Sequence, residues 1–372
     1  MTTMSPVPMH RVDALTFTHS HGPNYTEPPI YRLPVELLQD IFMLIIHDVP
    51  HYPSIFSIGE TTISGNFACP PLLFTRVCRR WRAIAHSTTE IWSHIKVGLP
   101  RKILSKPFLP SLLQSWLARS GSRPLTIRME RISSIDNSHF CPSSTQLLEI
   151  LFAEITRWET VFGLDMPEWS EKLTAPQLRT LECSWPSDIT RFDAPNLCRI
   201  RFVSPLSAVI RSRPTATCKL IRHLYLRSAS AAAIHSSSAF FPHLETLVVD
   251  YIAPDLGSRS HPATYSRLES MTIPLFYHHY HRDPLIQLFR ELRLPRLQKL
   301  TVVGNPDTPE VESILTALLV AGSCNIKVVD FRPCLWPSAR RNHMYVHDVE
   351  PLLSVAREVA VCGEVVACRV TT

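Results

Sequence analysis

Glycine is scarce in this chain. Ten occur in 372 residues, too thinly spread to make a glycine-rich loop. That argues against the backbone cradle that nucleotide-binding loops build around phosphates. A Gly-x-Ser-x-Gly turn is missing as well, so nucleophilic catalysis has no anchor. Ten cysteines are present, but no two stand as Cys-x-x-Cys. Cys183, Cys198, Cys218 and Cys324 lie in or beside apolar runs, where a reduced thiol serves as a small hydrophobe. This argues against a disulfide framework and a structural zinc site, and a reducing compartment, cytosol or nucleus, is expected. Hydrophobic residues make up 45%, yet no apolar run is long enough to cross a bilayer, so no membrane partner is expected. The first thirty residues lack the basic-then-apolar layout of a signal peptide.

Extreme charge is missing too. Thirty-eight basic residues against 32 acidic ones leave a formal net charge of +6. That balance permits acidic partners without demanding nucleic acid. Interleaved exposed aromatics, which would stack on bases, are also lacking, so nucleic-acid binding is not expected. Residues 1–29 carry Pro6, Pro8, Pro23, Pro28 and Pro29 without periodicity and are expected to be disordered. The cluster Tyr277-His278-His279-Tyr280-His281 has Asp283 as its only close carboxylate and no nearby cysteine. A metal site needs a third and fourth ligand at fixed spacing, so a solvated loop is expected there, with no metal and no cofactor.

What is present starts with two apolar helices. Leu33, Leu37, Leu38, Ile41, Phe42 and Ile45 recur three or four apart, with Pro34 in the first turn, where its missing N–H costs nothing. From Pro71 to Val97, the residues Leu73, Phe74, Val77, Cys78, Trp81, Ile84 and Ala85 fall on one face of a second helix. Arg76, Arg79, Arg80 and Arg82 are expected on the other side, in water. The segments read Leu-Pro-x-Glu-Leu-Leu-x-x-Ile-Phe, Val-Cys-Arg-Arg-Trp-Arg-x-Ile-Ala and Glu-Ile-Trp. Together they resemble the F-box motif. The resemblance implies a helical module over residues 30–97 that docks on a Skp-type adaptor, and through it on a cullin. It implies that Leu33, Pro34, Leu37, Leu38, Ile41, Val77, Cys78 and Trp81 form the module's core and adaptor-facing surface. Residues 47–71, rich in proline and small polar residues, read as an inserted loop like those of the large fungal F-box families.

Beyond the module a unit recurs. Leu178-x-x-Leu181-x-Cys183, Leu197-x-x-Ile200-x-Phe202, Ile221-x-x-Leu224-x-Leu226 and Leu244-x-x-Leu247-x-Val249 share one template. Leu268-x-x-Met271-x-Ile273, Leu297-x-x-Leu300-x-Val302 and Ile326-x-x-Val329-x-Phe331 continue it, and Trp158-x-x-Val161 begins it. First positions at 178, 197, 221, 244, 268, 297 and 326 give periods that suit leucine-rich repeats. The second and third apolar positions alternate, as inward residues of a parallel strand do. Helical returns are expected at Leu112–Leu117, at Leu285–Leu292 and from Thr308, as N-cap, to Gly322. After Cys183 the return reads as irregular. The Asn that usually follows the strand stands in place only at Asn305. The last unit reads as helix, turn and strand, Val349 to Ala360 and then Gly363 to Val370. The expected fold is therefore α/β: a small N-terminal helical F-box module, then a curved, irregular leucine-rich-repeat-like solenoid with a parallel sheet over residues 98–372.

Threading the template puts Arg199 and Arg201 outward on one strand, and His223, Tyr225 and Arg227 on the next. Neighbouring strands run about 4.8 Å apart, so these side chains share a surface, basic in the middle and acidic at its edges, where Glu182 precedes and Asp250 follows. Guanidinium forks suit an acidic or phosphorylated protein segment. The resemblance thus implies a substrate-recognition subunit of a Skp–cullin–F-box ubiquitin ligase, with no catalytic residues of its own. The alternative is an F-box-like scaffold or protein-interaction module acting outside a ligase.

Overall fold

The computed structural model describes residues 29–48, 53–58, 63–99, 108–131, 142–164, 172–184, 186–206, 214–253, 262–275, 288–304, 308–321, 326–332 and 350–369. Among them the chain is mixed α/β, organised on one open twelve-stranded sheet. Its strands are β1 (His94–Leu99), β2 (Leu125–Arg131), β3 (Trp158–Leu164), β4 (Thr180–Cys183), β5 (Arg199–Phe202) and β6 (His223–Leu226). They continue as β7 (Thr246–Val249), β8 (Ser270–Pro274), β9 (Lys299–Val303), β10 (Ile326–Arg332), β11 (Ala356–Val361) and β12 (Glu364–Cys368). Spatial order follows chain order. Every neighbouring pair from β1 to β11 is parallel, and β12 returns antiparallel on β11.

The apolar template sets the register. Leu181, Ile200, Leu224, Leu247, Met271, Leu300 and Val329 are partners strand to strand, and all are buried. Two residues on, Cys183, Phe202, Leu226 and Val249 form a second buried column. A one-residue slip would turn both columns to solvent, so the alternation fixes the pairing. Trp158 and Val161 extend the buried face into β3. Between Val161 and Leu164 the register shifts, and Gly163 sits there at φ +70°. A Cβ on Gly163 would lie 2.1 Å from the Met129 carbonyl oxygen, so only glycine lets β2 and β3 approach.

Several returns reuse one motif, found upstream of β4, β5, β7 and β9. Leu178, Leu197, Leu244 and Leu297 each donate a backbone N–H to the carbonyl three residues earlier, at 3.2–3.3 Å. Pro176, Pro195, Pro242 and Pro295 occupy the second turn position, where proline's fixed φ is already suitable. Short parallel ladders lead into several of these turns, such as Leu173–Thr174 on Phe192–Asp193 and Ala263–Thr264 on Leu292–Arg293. The helix Phe108–Arg119 buries Leu109, Leu113, Trp116 and Leu117, and Thr308–Val320 buries Val311, Ile314 and Leu318.

Several returns depart from expectation. After Cys183 there is one helical turn, Pro186–Ile189, which buries Ile189. Leu292 belongs to a short strand rather than a helix. Leu285 and Ile286 lie outside the described residues, as do Asn305, Gly322, Cys324 and residues 1–28. The helix from Thr308 runs to Val320, with Thr308 as its first residue. The last unit is a 3-10 turn, Glu350–Ser354, then the hairpin β11–β12. Ala356–Ala360 is strand because Val359 must register with Val329, a tertiary demand that local helical patterning does not contain. Cys362 and Gly363, both at positive φ, make the two-residue hairpin turn. Asp330, 1% exposed, ties this end together. It accepts from the Gly363 N–H at 3.0 Å and from Arg332 Nε at 2.9 Å, with Lys299 Nζ at 3.7 Å.

The helices α1 (Val35–Asp48), α2 (Pro70–Val77) and α3 (Arg79–Ser87) precede the sheet. The single helix expected across 71–97 is broken at Cys78, whose backbone is extended at φ −158° and ψ 173°. Its sulfur then accepts the Trp81 N–H at 3.4 Å and caps α3. Residues 94–99 are the first strand of the sheet, so the module boundary expected at 97/98 falls inside β1. The insertion 47–71 is more than a loop. It contains an antiparallel hairpin, Phe56–Ile58 with Ile63–Gly65. Ile55 N–H donates to Lys96 O at 2.8 Å and Gly98 N–H to Ser54 Oγ at 2.9 Å, so the insertion covers the free edge of β1. Helices and sheet thereby share one continuous apolar core.

Candidate functional site

The eight positions expected to contact an adaptor divide in two. Leu38 is fully buried, and Leu33, Ile41, Cys78 and Trp81 are partly so. They join Phe42 and Phe74, whose rings stack at 4.2 Å, with Trp81 tilted on Phe42 at 5.0 Å. These residues hold the helices to one another. Pro34, Leu37 and Val77 face solvent instead. Leu73 is exposed on the same helix that buries Phe74, so the two do not share the single buried face expected of them with Ile84.

Around Leu37 and Val77 the surface is unusually apolar. Fifteen large hydrophobic side chains are exposed among the described residues, and nine lie between Ile30 and Val77. Val35, Leu44, Ile45 and Leu73 belong to this group and were not picked out as surface residues. The signal was in the sequence: α1 is apolar over more of its circumference than one buried stripe requires. Scattered exposed hydrophobics need no explanation, whereas a concentration over neighbouring elements is a candidate contact surface.

The arginines behind this surface are not idle in water. Arg80 donates to the carbonyl oxygens of Tyr31 and Leu33 and so fixes the entry to α1. Arg82 Nε donates to Thr75 O at 2.7 Å across the α2–α3 break. The Arg76 guanidinium stands 4.6 Å from the centre of the exposed Phe67 ring. Trp81 N–H bonding holds the Cys78 thiol below its usual pKa, with burial opposing.

On the outer face of the sheet the expected neighbours do meet. Arg199 registers with His223, and Arg201 with Tyr225, while Arg227 follows the end of β6. The free basic patch, however, is not what the fold builds. Arg201 Nε lies 3.3 Å from Glu182 Oε2, and its guanidinium carbon 3.9 Å from the centre of the Tyr225 ring. The Tyr225 hydroxyl in turn donates to the Asp250 carboxylate. Glu182, Arg201, Tyr225 and Asp250 thus form one connected row across β4 to the end of β7. Register explains it: Glu182 is the strand partner of Arg201, so the acid flanking the patch reaches into it. Burial raises the Asp250 pKa, against the lowering pull of Arg201. His223 is shifted down, chiefly by burial and then by Arg199. Arg199 and Arg227 are left without an ion pair among the described residues.

No three His, Cys, Asp or Glu side chains converge to hold a metal among the described residues. The histidine cluster at 277–281 lies outside them. Among the described residues no helix is long and apolar enough to cross a membrane. Compared with models of known protein families the chain matches none, and no curated protein matches it.

Proposed function

We propose that the chain is an F-box protein that docks a Skp-type adaptor through the exposed face of α1 and α2. The strand series beyond it is read as a degenerate leucine-rich-repeat solenoid that presents a target protein to a cullin-based ubiquitin ligase. One observation carries the reading: the F-box-like helices bury Leu38, Phe42 and Phe74 yet leave Leu37, Leu44, Leu73 and Val77 in solvent. An apolar face held rigid from beneath fits a partner's hydrophobic groove. The chain does no bond chemistry in this role, and it works in cytosol or nucleus.

The test uses the whole chain, because the helices share their core with the sheet. Wild type should capture the adaptor, and Leu37→Glu with Val77→Glu should lose capture at an unchanged melting temperature. Retention of adaptor by that variant, or no capture by the folded wild type, would refute the reading. A scaffold acting outside a ligase is the second reading, favoured by the internal pairing of Arg201, which removes one expected target contact. Adaptor capture without cullin would select it.

A further inference from the structure

Where β8 to β11 begin, two shallow depressions adjoin along the ends of the strands. One, of about 290 Å³, takes in Glu245 and Arg267. The other, of about 330 Å³, runs on to Lys327 and Arg357. Glu269 and Arg296 line both, so they make one groove. Ser270, Lys299, Val328 and Glu358 are register partners, so the residues just before them stand side by side. Those are Glu269, Gln298, Lys327 and Arg357, at steps of about 4.8 Å. The carbonyls of Glu269 and Gln298 each accept two N–H groups from the next repeat, at 2.7–3.1 Å. Those acceptors are used, and the groove offers its side chains.

The charge is one-sided. Glu245 is engaged by Arg222 at 2.8 Å. Arg267, Arg296, Lys327 and Arg357 have no ion pair among the described residues, against Glu269 as the one unpaired carboxylate of the groove. Lys327 and Arg357 stand on neighbouring strands about 4.8 Å apart, within a Debye length at physiological salt, so their fields add.

We propose that this groove binds an anionic, extended polypeptide segment, its carboxylate or phosphate side chains reaching the guanidinium forks of Arg296 and Arg357. Charge-assisted, bidentate hydrogen bonds supply the affinity. Glu269, in the middle, accepts from main-chain N–H groups of the peptide. The same carboxylate repels a continuous phosphodiester backbone, and no aromatic lines the groove to stack bases. The proposal does not depend on adaptor docking, and its test does not use the adaptor.

Full-length chain is titrated into fluorescent peptides of about ten residues at low and at physiological salt. One peptide alternates Glu with Ser, one carries phosphoserine for Glu, and one carries Gln for Glu. Saturable binding of either anionic peptide, weakened by salt and absent for the Gln peptide, is expected. Whichever anionic peptide binds names the source of the charge. Arg296→Glu with Lys327→Glu should weaken binding by at least about tenfold, the worth of a single charge-assisted contact, because two cations are reversed. Arg357→Glu should weaken it independently, and Arg79→Glu, on the distant helix α3, should leave it unchanged. Melting temperatures check that each variant is folded. The proposal falls if neither anionic peptide saturates, if the groove variants bind like wild type, or if an oligothymidine of equal length binds as tightly as the peptides.

Discussion

Leu37 and Arg201 stand on the two surfaces expected to meet partners, and the chain treats them in opposite ways. Leu37 is 48% exposed on a helix that already has its buried stripe, and no neighbour among the described residues covers its outward face. Arg201 is answered on both sides, by Glu182 and by the ring of Tyr225. Charge can be compensated by register alone, because the next strand places a side chain about 5 Å away whatever its type. Apolar surface in excess of one core has no such internal remedy; only another chain removes it from water. The helices therefore keep an apolar face in solvent, while the middle of the sheet has compensated much of its own charge.

The largest effects should come from the shared core beneath both surfaces. Leu224→Ala and Leu247→Ala each remove a fully packed side chain from the same column and should cost about 2–5 kcal/mol. Because the two are register partners, the double variant should depart from additivity by about 0.5–3 kcal/mol in urea denaturation. Strict additivity would mean that the column is not one packed unit.

Adjacent residues in α1 sharpen the contrast. Leu38→Ala should destabilise by about 2–5 kcal/mol, since Leu38 is fully buried. Leu37→Ser should stay within about 0.5 kcal/mol of wild type, as surface changes do. Equal losses at both would mean that Leu37 is covered within the chain, and the helices would then have no spare apolar face.

The outer face predicts a smaller number. In a double-mutant cycle, Arg201→Gln and Tyr225→Leu should couple by about 0.5–1 kcal/mol, the worth of an exposed cation–π contact. Glu182→Gln should cost about 0.2–1 kcal/mol, less as salt rises. Zero coupling together with no cost for Glu182→Gln would return Arg201 to the pool of free cations and reopen the patch as a binding surface.

These contrasts track what could be read from the residues. The seven-fold template put Leu181, Ile200 and Leu224 in one column, because a period of two and a repeat leave a single register. The same threading brought Arg199, Arg201, His223 and Tyr225 together. It did not reveal that Glu182 and Asp250 would neutralise them, since pairing depends on rotamers and on which strand neighbours which. The helix break at Cys78 was hidden because Val77 and Trp81 keep helical spacing across it; an extended residue changes direction without disturbing the period. The turn motif with Pro176, Pro195, Pro242 and Pro295 was legible but lay upstream of the template. The groove at Arg296 was not legible, for it is made by turns of successive repeats lying side by side.

The smallest expected effect belongs to His223. Its pKa is lowered from 6.5, first by burial, then by the charge of Arg199, with Glu245 pulling the other way. A depressed histidine favours the neutral form in the folded chain. The corresponding stability is complete above pH 6.5 and is lost as pH falls through 6.5 toward the lower, folded value, because the unfolded chain takes up the proton first. His223→Gln should flatten that part of the urea midpoint's decline below neutrality, leaving the part due to His94, which is lowered chiefly by its own burial. Arg199→Gln should flatten the decline partly, by letting His223 rise toward 6.5. Glu245→Gln should steepen it, since the carboxylate supports the charged ring. If all three variants follow the wild-type pH profile, His223 is simply solvated, and the outer face at β6 is more open than its register with Arg199 implies.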